Sequence, residues 1–234
     1  MADTANIALP LLDAAQAQKH VTMNEALSRL DALGFGAVAS VGQAVPPASV
    51  DGETHVVGAG ATGDWIGQDL NVAIASNGGW TFFAPRAGWQ VWTLAENAFL
   101  VFDGQQWQGG AVALSPGGAV TLQKVLEFEH VLSGAVSTTA EQIPDKASVL
   151  GVTARVIETI EGASGWSLGV ASDPSRYGSN FGTALNASAD GVTGSPVTYY
   201  GGTALEIAAE GGSFTAGALR IAVHYQAVIA PRQV

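Results

Sequence analysis

The sequence predicts a mainly β protein, with an N-terminal helix, a small Trp-rich β-hairpin domain and a C-terminal antiparallel β-sandwich or jelly roll. Three observations carry this. One stretch alone, near the start, has helical spacing; glycine is abundant, with 30 in 234 residues; and the second half alternates apolar and polar residues between glycine turns. Apolar residues make up 47% of the chain, enough to build real cores.

The helix is predicted over Leu9 to Leu33, LPLLDAAQAQKHVTMNEALSRLDAL. Pro10 suits the first turn, where its missing N–H costs nothing. Asp13 offers a capping oxygen with Gln16 three residues on as its partner. Gly34 and Gly36 supply the left-handed stop. Gln16, His20, Met23, Leu27 and Leu30 recur at heptad-like spacing. That seam serves either as the inner face of a helix lying on the protein's own β domain, or as a contact between copies, with Gln16 and His20 as polar layers. With Leu9, Leu11 and Leu12 ahead of it, the segment suits attachment and assembly.

Residues 34–50, GFGAVASVGQAVPPASV, read as a small-residue connector stiffened by Pro46 and Pro47. From Asp51 to about Gly110 come five of the six tryptophans, Trp65, Trp80, Trp89, Trp92 and Trp107. The phrases GDWIG, GGWTFFAP, AGWQVW and FDGQQW each join a glycine turn to an aromatic, as in small hairpins with turns at Gly78–Gly79 and Asp103–Gly104. The tryptophans are either the core of a domain too small for aliphatics alone or an aromatic platform. Trp65 and Trp107, beside polar turn residues, are the candidates for exposure.

Residues 109–118, GGAVALSPGG, form a second connector, so the chain divides into 1–48, 49–114 and 115–234. In the last part, Val125, Glu127, Glu129 and Val131 share one strand face and Leu126, Phe128, His130 and Leu132 the other. Leu150, Val152, Ala154, Val156 and Ile160 are grouped likewise, with Thr153 and Arg155 opposite. The longest strand, near the C-terminus, carries Ile221, Val223, Tyr225 and Ile229 on one face and Arg220, His224 and Gln226 on the other, and is expected to lie centrally in its sheet. Seven or eight strands of this kind give a sandwich or jelly roll. Between them lies the irregular stretch 171–195, with Asp173, Arg176, Tyr177 and Asn180. These side chains can hydrogen-bond hydroxyls and stack on a ring, or fold the loop on itself.

Composition excludes several functions. Nine basic residues against twenty acidic ones give −11, with no basic cluster for nucleic acid or an anionic membrane. Without cysteine there is no disulfide framework and no thiolate site. The first residues, MADTANIALPLL, lack the basic and apolar regions of a signal peptide, and no apolar run of about 18 residues occurs. Export would therefore be by lysis or as part of a particle. His20, His55, His130 and His224 show no metal-ligand spacing, and Asp173, Ser175 and Asn180 offer oxygens for calcium with few carboxylates, so no metal or cofactor is expected. No G-x-S-x-G elbow, P-loop or dinucleotide fingerprint occurs. Glu127 and Glu129 are spaced like a glycosidase pair, but cross-strand pairing with Arg155 or Arg220 explains them equally well. No enzyme is expected.

The stretch LLDAAQAQKHVTMNEALSRLDAL, followed by GDWIGQ, GGWTFFAPRAGWQVW and LVFDGQQW, resembles the head-spike and fibre proteins of gene transfer agents and related tailed bacteriophages. The resemblance spans about residues 9–110, and SLGVASDPSRYGSNFG is similar to the C-terminal β domains of such fibres. It implies an N-terminal part that attaches to the particle or assembles the spike, with Gln16, Lys19, His20, Asn24 and Glu25 in the assembly helix. It further implies a distal β domain that contacts host surface polysaccharide.

The leading expectation is a homo-oligomeric spike component, trimeric by default, on the particle surface. It would be made in the bacterial cytoplasm and released by lysis, with capsid or spike proteins and host polysaccharide as partners. Met23, Leu27 and Leu30 complete its attachment set. The alternative is a structural adaptor between capsid and a separate fibre, without glycan contact. A polysaccharide depolymerase rests on Glu127 and Glu129 alone.

Overall fold

The computed structural model describes residues 3–4, 8–12, 19–34 and 36–233, leaving aside the side chains of Lys19, His20 and Ala32. The chain forms two compact units, Met1–Leu114 and Ser115–Val234.

In the first unit, α1 covers Lys19–Leu33. The helix does not extend back to Pro10, as the sequence led one to expect: Pro10 forms an antiparallel bridge with Asp3. The cause is local competition for hydrogen bonds. The Asn24 amide donates to the Leu12 carbonyl (3.0 Å) and accepts the Leu12 N–H (2.8 Å), while Thr4 and Leu9 bond each other. Asp13 and Gln16 lie outside the described residues. Gly34 still donates to the Leu30 carbonyl, and the left-handed turn falls at Gly36, where a Cβ would sit 2.8 Å from the Gln90 oxygen.

The supposed connector at 34–50 instead carries two strands, β1 (Ala37–Val38) and β2 (Ser40–Gln43). Then follow β3 (Thr54–Val57), a 3-10 turn at Gly63–Trp65, β4 (Val72–Ser76), β5 (Gly79–Phe83), β6 (Gln90–Thr93), β7 (Ala98–Phe102), β8 (Trp107–Gly109) and β9 (Ala111–Leu114). One sheet runs β1-β6-β7-β8 and the other β2-β3-β4-β5. β1 and β2 each join parallel, to β6 and β3, so neither leaves a hairpin signature in the sequence. The β4–β5 hairpin turns at Asn77–Gly78 rather than at Gly78–Gly79. Both residues have positive φ, as a two-residue hairpin turn requires, and Ser76 pairs with Gly79.

The second unit contains β10 (Val120–Val131), β11 (Val136–Ile143), β12 (Ser148–Glu161), β13 (Gly165–Gly169), β14 (Ser188–Thr198), β15 (Thr203–Glu210) and β16 (Ala216–Ile229). Within this unit the strands fall into the orders β14-β12-β16-β10 and β11-β15-β13, all antiparallel. Successive strands therefore alternate between the sheets, which is the winding of a jelly roll. Residues 177–181 run along the free edge of β13: Tyr177 and Phe181 donate to the carbonyls of Leu168 and Trp166. Residues 183–187 then bond to β12, through Asn186 N–H to Val156 and Ile160 N–H to Thr183. This stretch replaces the missing eighth strand and closes one side of the sandwich.

β16 lies centrally, between β12 and β10, and buries Leu219, Ile221 and Val223 against Val149, Val152, Val156, Trp166, Leu168 and Ile207. Leu150 departs from its expected place. A register shift between Val149 and Gly151 turns Val149 into the core and leaves Leu150 half-buried.

Candidate functional site

Registers define the two poles of the jelly roll. Ser148 pairs with Thr198 and Val120 with Ile229 at one pole, which therefore also holds the turns at 144–147 and 199–202 and the turn after β13. The turns at 132–135, 162–164, 182–187 and 211–215 lie at the other.

The four residues proposed from the loop do not converge. Asp173 and Arg176 pair at 3.3 Å at the first pole, in a turn tightened by reciprocal Val170–Asp173 backbone bonds. Tyr177 is only 2% exposed, and its hydroxyl meets that of Tyr199 at 2.8 Å. Burial pushes this phenol far above its usual range, with the Tyr199 hydrogen bond adding to the effect. Tyr177 is thus a core residue, not a surface ligand, because its ring closes the sandwich wall between β13 and β14. Asn180 is exposed toward the other pole, where its N–H donates to Glu210 Oε1 (3.0 Å).

The two candidate platform tryptophans are also reassigned. Trp65 is fully buried, its ring 5.6 Å from His55 and 5.1 Å from Trp80. The 3-10 turn at Gly63–Trp65 swings the indole inward, overriding its polar flanks. Trp107 is half-buried, packs on Phe102, and donates Nε1–H to the Leu70 carbonyl at 2.9 Å. The exposed aromatic pair of this unit is elsewhere. Trp92 and Phe99 face each other across β6 and β7, edge to face at 4.7 Å, with Phe99 62% exposed. A groove of about 310 Å³ beside them is lined by Gln90, Phe99, Val101, Val112 and Leu114. Alternation alone would have located this pair, since Trp92 and Phe99 lie opposite the buried Val91 and Leu100.

His55 is buried on β3. Its Nδ1 meets Ser40 Oγ at 2.9 Å and its Nε2 lies 3.6 Å from Glu53. Burial lowers its pKa, with Glu53 opposing. His130 is likewise lowered by burial and contacts Ser137 Oγ at 2.8 Å. Glu129 takes a hydrogen bond from Arg220 at 2.6 Å, directly across the β10–β16 register. Among the described residues no group of three His, Asp or Glu side chains is placed to hold a metal ion.

On α1, Met23 and Leu30 are 52% and 55% exposed and Leu27 is half-buried. Asn24 and Asp31 face the protein's own leader, Asp31 through Thr4 Oγ1 at 2.7 Å. Gln16 lies outside the described residues, as do the side chains of Lys19 and His20. Among the described residues no helix is long and apolar enough to cross a membrane.

The chain joins a helix-led β unit to a jelly roll. Residues 23–108 match a family described as protein of unknown function (DUF2793). Among solved structures, the chain is similar to one in the capsid asymmetric unit of cyanophage Pam1. That match is 27% identical, covers 44% of this chain and 84% of the other, and has a TM-score of 0.36, an overlap too loose to define a shared fold. No curated protein matches the chain.

Proposed function

We propose that the protein is a non-enzymatic spike or fibre component carried on the surface of a phage or gene transfer agent particle. In this reading it assembles through α1 as a homo-oligomer, joins capsid or spike proteins, and presents its jelly roll to host surface polysaccharide. The observation that carries the assembly half is the orientation of α1. Its polar positions Asn24 and Asp31 are spent on the protein's own leader, while Met23 and Leu30 are left facing outward at heptad spacing. The resemblance of the helix and tryptophan phrases to particle spikes supplies the setting. Several copies would raise the avidity of individually weak sugar sites. The Arg220 tie on Glu129 supports a structural role for that pair.

The test has two arms. Purified full-length protein is weighed by static light scattering and displayed to an array of bacterial capsular and O-antigen polysaccharides. An oligomer that binds at least one polysaccharide upholds the reading; a monomer that binds none overturns it. The adaptor reading has its own support in the Trp92–Phe99 face, where exposed Leu94 and Val112 add apolar area with few polar groups. An oligomer that binds capsid protein and no polysaccharide would establish it.

A further inference from the structure

Two adjacent tyrosines at the end of β14 have opposite fates. Tyr199 is half-buried and spends its hydroxyl on Tyr177. Tyr200, the next residue, is 82% exposed, and among the described residues no side-chain hydrogen bond or ring contact holds its ring. Exposed aromatics are not unusual one at a time, but the support beneath this one is. The turn carrying it, 199–202, is locked to the turn at 144–147. Gly201 N–H donates to Asp145 Oδ1 (2.6 Å), Lys146 N–H to the Tyr199 carbonyl (2.8 Å), and Tyr199 N–H to the Ala147 carbonyl (3.1 Å).

Lys146 holds a positive φ of 61°, a conformation that costs a lysine energy and persists here because these bonds over-determine it. Next to the ring the backbone is bare at Gly201, while the Gln142 amide covers Gly202 so closely that a Cβ there would meet its oxygen at 2.1 Å. The Lys146 ammonium and the Asp145 carboxylate, 3.9 Å apart, are both exposed beside the turn.

The geometry points to this locked turn pair as a saccharide contact, with Tyr200 stacking on the C–H face of a pyranose. This rests on the polysaccharide reading above and gives it an address. A sugar ring needs one rigid apolar face and several hydroxyl partners around it, and a tyrosine supplies that face with little side-chain entropy to lose. Gln142 and the exposed Asp145 carboxylate serve hydroxyls, and Lys146 serves a carboxylate or phosphate on an acidic residue of the polymer. The bare Gly201 lets the polymer approach the backbone. Asp145 is a positioning residue for the turn as well as a ligand.

The experiment uses the full chain against those members of the capsular and O-antigen panel that the native protein binds. Tyr200→Ala should weaken binding about tenfold or more, with an unchanged melting temperature because the side chain packs on nothing. Tyr200→Trp should retain binding. Asp145→Asn, which keeps the acceptor for Gly201, should retain more binding than Asp145→Ala. If Tyr200→Ala binds as tightly as the native protein, the site is wrong while the receptor reading stands. If the native protein binds no polysaccharide, the receptor reading fails and takes this site with it. If Tyr200→Ala lowers the oligomer mass and leaves polysaccharide binding intact, the tyrosine is a protein contact and the proposal is overturned.

Discussion

Replacing Tyr177 separates a structural tyrosine from a ligand. Tyr177→Phe deletes one hydroxyl and leaves Tyr199, half-buried, without its 2.8 Å partner. A neutral hydrogen bond contributes about 1 kcal/mol, and the orphaned hydroxyl adds to the loss, so the cost is about 1–2 kcal/mol. For a unit of this size that lowers the melting midpoint by roughly 6 °C. Tyr177→Ala removes a whole buried ring and should cost about 3–5 kcal/mol, enough to unfold much of the sandwich. Calorimetry of both single Phe variants and the double variant Tyr177→Phe/Tyr199→Phe reads the coupling. The double variant should cost less than the sum of the singles, because it leaves no orphan. pH gives a second readout. The folded phenol keeps its proton well above pH 10, whereas the unfolded one loses it near about 10. The unfolded state then binds fewer protons, so stability falls as pH rises past about 10, and Tyr177→Phe should flatten that fall. Strict additivity together with an unaltered alkaline limb would refute the reasoning.

Three further outcomes follow from the structure. His55 is held below its ordinary pKa by burial, so below about pH 6.5 the unfolded chain takes up a proton that the fold resists. Urea midpoints should therefore drop between pH 7.5 and 5, and His55→Gln should remove part of that drop, leaving the share due to His130. If copies assemble through α1 as proposed, Met23→Glu with Leu30→Glu should give a monomer by light scattering without lowering thermal stability, because both side chains are outside the core. Gly191→Ala should destabilise the jelly roll by about 1–3 kcal/mol in a denaturant titration. Its Cβ would lie 2.4 Å from the Tyr177 oxygen and 2.6 Å from that of Val152.

Sequence reading reached furthest where one physical signal dominated. The alternation in β10 and β16 placed Glu127, Glu129 and Arg220 outside and Ile221 and Val223 inside, because a two-residue period admits one choice once one face is buried. It failed where long-range pairing or a single turn overrode local character. Small residues at 37–43 read as linker, yet they pair parallel with β6 and β3, partners remote in sequence. Polar neighbours Asp64 and Gln68 made Trp65 a candidate for exposure within a cluster otherwise read as core, and Tyr177 looked like a loop ligand. Burial of each is decided by which element it lands against, which spacing does not encode. Tyr200 went unnoticed because its surroundings, Asp145 and Lys146, are more than fifty residues away in sequence.

The first and last strands of the jelly roll are hydrogen-bonded neighbours from Val120–Ile229 through Val131–Ala218. Entry and exit of that module are consequently side by side, about 5 Å apart in strand geometry. A cassette of this shape can be spliced into a surface loop of an unrelated carrier, or permuted by linking its ends, without opening the barrel wall. Exchange of this module between carriers then needs only two adjacent junctions.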